Sequence, residues 1–192
     1  MNILTNLVSL TGGSPQFRIR ETADPAAPQY RCYTESALSD NLSGLVPPGR
    51  AHRLLRTFDQ VKTLAGGDIV FSLISGRSAQ VRQENSGSLY TQNYVRLSGL
   101  SPQCDPAYLV YLLNEHPAIR RQFQTGLQGS QVLKYTLKQL KELALPPLHP
   151  LPVQRTIGSI YFNQLRLTAL RRQAADLEQA IVLNALKQVQ IP

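Results

Sequence analysis

Residue types that carry out covalent chemistry are sparse in this chain, whereas those that read nucleic-acid bases are plentiful. His52, His116 and His149 are isolated, with no pair at the i, i+3 or i+4 spacing that brings two imidazoles to one metal. Cys32 and Cys104 lie far apart and match no metal or redox spacing, as expected of two reduced thiols in a cytosolic protein. The 12 acidic residues are scattered. Asp68 and Glu84 come nearest to a nuclease pair, but no lysine follows Glu84 at short spacing. Gly66-Gly67-Asp68 lacks the Gly-Lys-Ser/Thr that completes a phosphate-binding loop. The expectation is a non-catalytic protein with no metal and no cofactor.

Binding residues are easier to nominate. Arg50, His52, Arg53 and Arg56 follow the Pro47-Pro48-Gly49 turn. Arg77, Gln80 and Arg82 are placed in the turn after an apolar strand, with Gln83 and Asn85 beside them. Arginine, glutamine and asparagine form the paired hydrogen bonds that read base edges, and a hairpin tip carrying several of them suits groove readout. Arg120, Arg121, Gln128, Ser130 and Lys134 are expected to hold phosphates. The net charge of +8 and the pI near 9.8 point the same way, toward nucleic acid first and an anionic membrane second. Of the 20 basic residues 15 are arginine, whose planar fork suits phosphates and guanine edges better than a lysine does. The alternative is a basic surface kept for solubility. No apolar run approaches the roughly 18 residues needed to span a bilayer, and residues 1–10 lack the basic start and cleavage site of a signal peptide.

The elements that must position these residues divide at a proline cluster. Pro146, Pro147, Pro150 and Pro152 separate a body over residues 1–150 from an arm over 151–192, because proline fixes φ and removes a backbone donor. Residues 1–60 are poorly periodic and predict short strands with long connections. Ile69–Ile74 and Tyr90–Leu97 predict strands. Asp105 predicts an N-cap with Pro106 at the first helical position, Pro117 interrupts that helix, and a second short one carries Ile119 to Phe123. Asp105-Pro106-Ala107-Tyr108 resembles the Asp/Asn-Pro-Pro-Tyr loop of adenine methyltransferases, but the second proline is missing and a cap explains it better. Thr136 predicts the cap of a further short helix. Strands and helices without βαβ alternation give an α+β fold class.

From Val153 a long helix is expected. Ile160, Asn163, Leu167, Leu170, Ala174, Leu177, Ile181 and Asn184 follow one another at alternating steps of three and four, the repeat of a coiled-coil seam. The two asparagines stand near the ends of the seam and would fix its register. Val182, Leu183 and Leu186 add a second apolar row. The alternative is that the seam packs on the chain's own body.

Taken in order, these segments resemble one half of the DNA-specificity subunit of a type I restriction-modification system. The resemblance runs from Gly12-Gly13-Ser14-Pro15 through Leu64–Phe71, the Asp105–Leu109 helix start and Gly129-Ser130 to Leu140–Leu148, Gln154 and Ile157. Val153 stands where the family carries a glutamate. The resemblance implies a target recognition domain that reads one half of a split site in double-stranded DNA. It also implies a spacer helix that docks methyltransferase and restriction subunits. Members of the family carry two such units, whereas this chain carries one, so a homodimer through the arm is expected. A coiled-coil adaptor that binds only protein, or a nuclease or methyltransferase fragment, are the alternatives.

Overall fold

The computed structural model describes residues 2–46, 49, 51–125 and 135–189. The body is an α+β unit built on a four-stranded antiparallel sheet in the order β2-β7-β5-β6, formed by β2 (Ser9–Gly12), β5 (Ile69–Ser72), β6 (Ser78–Gln80) and β7 (Tyr94–Ser98). Two further antiparallel pairs flank it. β1 (Asn2–Ile3) pairs with β8 (Ala144–Leu145), and β3 (Gln29–Arg31) pairs with β4 (Leu54–Arg56). β5 is buried along its whole length, because strands hydrogen-bond it on both sides and helices cover it. The predicted Ile69–Ile74 strand ends at Ser72, where the Ser72 hydroxyl accepts from the Ile74 and Ser75 N–H groups and turns the chain. The predicted Tyr90–Leu97 strand starts only at Tyr94, since residues 91–94 form a turn closed by Tyr94 N–H on the Thr91 carbonyl.

Among the described residues five α-helices complete the fold: α1 (Glu35–Ser43), α2 (Pro106–Glu115), α3 (Pro117–Thr125), α4 (Leu137–Glu142) and α5 (Leu151–Val189). The predicted caps are in place. Asp105 accepts from Tyr108 N–H, and Thr136 and Gln139 form a reciprocal capping box. α1 is a departure from the expectation of irregular structure before residue 60. Thr34 caps its start by accepting from Ala37 N–H, and Gly44 ends it in the left-handed region at φ 69°. α5 begins two residues earlier than expected, at Leu151, with Pro152 in its first turn where no intrahelical donor is lost. At 1.5 Å per residue it is about 58 Å long.

The core is one cluster, centred on Phe71, Leu109, Leu112 and Leu113. α2 and α1 cover the hairpin of β5 and β6, and the first part of α5 packs on both helices. On α5 Gln154, Ile157, Gly158, Tyr161, Phe162 and Leu165 face the body, at the i, i+3, i+4, i+7 spacing of one helix side. The seam is a different row. At roughly 100° per residue it lies on the far side of the helix, and Ile160, Leu167, Leu170, Leu177 and Ile181 are all exposed. The alternative in which the seam packs on the chain's own body does not describe this fold. From Leu170 to Val189 every arm residue is exposed.

Candidate nucleic-acid interface

The nominated side chains do not converge on one place. Arg50, Gln128, Ser130 and Lys134 lie outside the described residues. Arg120 and Arg121 are exposed on α3. Of the hairpin group, only Arg77 is in the turn between β5 and β6. It faces the arm closely enough to act on the Tyr161 hydroxyl. Gln80 is on the returning strand, and Arg82, Gln83 and Asn85 follow it at the opposite end of the hairpin. The spacing placed them together at the tip; a three-residue β6 carries them away from it.

Several candidates are already committed to the fold. The Arg56 guanidinium donates to the Pro25 and Ala27 carbonyls at 3.1 and 3.0 Å and ties down the 24–28 loop. Asn85 is buried and donates to Asn41 at 2.9 Å, and Asn41 in turn donates to the Tyr33 hydroxyl. Arg82 pairs with Glu84 at 3.5 Å on the surface, and that carboxyl is held below its ordinary range by a backbone hydrogen bond and by the Arg82 charge. Gln80, Arg82 and Gln83 line a groove of about 530 Å³ together with Asn163 and Arg166 of the arm. One member of the seam thus shares a groove with three nominated DNA-contact residues, an adjacency that no sequence spacing carries.

Arg53 stands in a better place. It precedes β4 and lines a cavity of about 160 Å³ with Gln16, Cys32, Thr91 and Asn93. The Arg53 carbonyl accepts from Cys32 N–H at 2.8 Å, so its backbone is fixed, while its guanidinium is exposed. Gln16 and Asn93 are base-reading side-chain types that the sequence did not single out. Gln16 is brought here by the turn after Pro15, and Asn93 by the late start of the predicted Tyr90–Leu97 strand, which leaves it in the turn before β7 with its carbonyl accepting from Leu73 N–H at 2.8 Å. The Pro15 turn was visible in the sequence; its meeting with residue 93, 77 positions on, was not. The Cys32 thiol beside them is pushed up by burial, against the opposing pull of Arg53, and burial pushes the Cys104 thiol up to about 11. Neither is an activated nucleophile. Among the described residues no group of three His, Cys, Asp or Glu side chains could hold a metal.

The joint between body and arm is built from buried amides. Gln154 accepts from Asp105 N–H at 2.8 Å and donates to the Gln103 and His149 carbonyls at 3.0 and 2.7 Å. Asn114 on α2 accepts from Ser78 N–H at 2.7 Å and donates to the Ser78 carbonyl and the Tyr161 hydroxyl at 2.9 and 3.1 Å. Tyr161 then donates to Glu115 at 3.1 Å, and burial first of all pushes its hydroxyl up to about 12. α2, β6 and α5 are thereby locked at one angle.

No family model and no curated protein matches the chain. Solved structures do. A chain from a type I restriction-modification system, studied for complex assembly and conformational transition, is 17% identical with a TM-score of 0.59, covering 97% of this chain and 43% of its own. The HsdS subunit from Thermoanaerobacter tengcongensis is 18% identical at a TM-score of 0.50, covering 93% and 39%. The type I S subunit from M. genitalium is 17% identical at 0.50, covering 96% and 42%. This chain spans about two-fifths of the length of each of them. Body and arm together therefore have the fold of a type I restriction-modification specificity subunit.

Proposed function

We propose that the chain is a non-catalytic DNA-specificity protein of a type I restriction-modification system, acting in the cytoplasm. The likeness of nearly the whole chain to specificity subunits carries this reading. The body, residues 1–150, reads one half-site of double-stranded DNA, and the arm, residues 151–192, sets the distance to the other half-site. Methylation and cleavage belong to methyltransferase and restriction subunits that dock on the assembly. Arg53, with Gln16 and Asn93, is the favoured base-reading group, because these side chains converge on one cavity. The arm pairs with that of a second copy. In an antiparallel register that joins Leu170 to the partner's Ala174, Leu167 meets the partner's Leu177, Asn163 meets the partner's Ile181, and Ile160 meets the partner's Asn184. Every seam residue then has a counterpart. A symmetric dimer of this kind reads inverted half-sites.

The test is duplex binding by the full chain across a salt series. Phosphate contacts at six or more sites make affinity fall roughly a thousand-fold or more between 50 and 200 mM salt. Arg53→Ala is expected to cost about 1–3 kcal/mol of discrimination between sites while leaving the salt slope nearly unchanged. A chain that binds no duplex at low salt, yet still captures a methyltransferase subunit, would instead be a protein-only adaptor.

A further inference from the structure

Of the five phenylalanines, Phe71 and Phe123 are buried and Phe162 is half-buried against the body, but Phe17 and Phe58 are 81% and 65% exposed. We propose that Phe17, supported by Phe58, is a wedge that inserts at a base step of duplex DNA and bends it, with Arg18 and Arg20 on the flanking phosphates. This rests on the DNA-binding reading above and deepens it. Apolar wedges of this kind partly unstack a step and kink the duplex, which brings more protein surface onto the DNA.

Three observations support the assignment. First, the backbone that carries the ring is anchored. Pro15 opens a 3-10 turn over Gln16–Arg18, closed by Arg18 N–H on the Pro15 carbonyl at 3.0 Å and by Ile19 N–H on Gln16 at 3.2 Å. The Gln16 N–H is held by the Gln92 side chain. An anchored backbone leaves only the side-chain rotamer to be ordered on insertion. Second, the two rings share one support. Arg20 N–H donates to Asp59 at 2.6 Å, Asp59 N–H to the Thr57 hydroxyl at 3.0 Å, and Thr57 N–H to the Pro28 carbonyl at 3.1 Å. Phe58 is thus held between two anchored neighbours, on a turn tied to that of Phe17.

Third, the surroundings are cationic. The Arg18 guanidinium lies 5.5 Å from the Phe17 ring centroid, and Arg53 lines the cavity that begins at Gln16. Three carboxylates lie in the same region and keep their charge, Asp59 and Asp24 accepting from the Arg20 and Ala26 N–H groups and Glu21 acting on Cys32, against the four arginines Arg18, Arg20, Arg53 and Arg56. Two isolated rings among arginines suit a polyanion with stacked bases. A protein partner would call for a continuous apolar patch.

The experiment uses the full chain and a pool of short duplexes with randomised centres, from which the wild type selects its bound fraction. Affinity, salt slope and bending of the selected duplexes are then compared for wild type, Phe17→Ala, Phe17→Leu and Arg18→Ala. Phe17→Ala is expected to bind roughly ten-fold weaker, as loss of one aromatic stack implies, to lose the bend and to keep the salt slope. Phe17→Leu retains part of the bend, and Arg18→Ala lowers the salt slope by about one while keeping it. Thermal melting of the variants should match the wild type, because the ring is exposed. If Phe17→Ala binds and bends DNA as the wild type does, the wedge is overturned and the two rings face a protein instead. If the wild type selects no duplex at all, the DNA reading itself falls, and the wedge with it.

Discussion

Gln154 is 1% exposed and satisfies three backbone groups from two separate stretches of chain, so it governs where the arm starts. Replacing it by leucine keeps the bulk but leaves Asp105 N–H and the Gln103 and His149 carbonyls without partners. Unfolding in urea should show a loss of about 3 kcal/mol, since each orphaned buried group costs about 1–3 kcal/mol. Gln154→Glu should fare little better, because an ionised carboxylate cannot donate to two carbonyls. A change below about 1 kcal/mol in either variant would show that water replaces the amide. The same scale explains why the nominated contact residues proved a mixture. Arg53, Arg56 and Asn85 are all base-reading types, and composition cannot separate them. Only the fold reveals that Arg56 and Asn85 already have internal partners and that Arg53 is free to face outward.

At the scale of elements, α2 and α5 cross at a contact between small residues. A Cβ on Gly158 would stand 2.7 Å from the Ala107 Cβ and 3.0 Å from the backbone of Ala107 and Tyr108. Gly158→Ala gains about 1 kcal/mol of helix propensity in an isolated helix, yet it should lower the melting temperature here, because the helices must move apart at a joint that the Asn114–Tyr161 hydrogen bond holds closed. A rise in melting temperature would contradict the close approach. α5 was legible because its apolar spacing is long and regular, and the caps at Asp105 and Thr136 were legible because their chemistry is local. α1 was not. Its sequence, Glu35-Ser36-Ala37-Leu38-Ser39-Asp40-Asn41-Leu42-Ser43, has three apolar residues in nine, and tertiary packing rather than propensity holds it. Strands of two or three residues, such as β3, β4 and β6, are too short to express a period of two.

For the whole molecule, two faces of one helix have two different tasks. One face fastens α5 to the body, and the opposite face leaves Ile160, Leu167, Leu170, Leu177 and Ile181 in water as an apolar row, the kind of exposed surface that marks an interaction site. Sedimentation at tens of micromolar is expected to report a dimer, and Leu170→Glu with Leu177→Glu should give a monomer whose body melts unchanged. A monomeric wild type would sink the pairing, and an asymmetric methylated motif would sink the symmetry. The pairing of β1 with β8 also has a consequence in time. Asn2 and Ile3 leave the ribosome well ahead of their partners Leu145 and Ala144, which come more than 140 positions later. At about 5–20 residues per second the first strand waits roughly 7–30 s as an open edge. The body can close only when its last strand emerges, ahead of the arm that follows it along the chain. A growing chain therefore seals its own fold before it exposes the helix that would engage another.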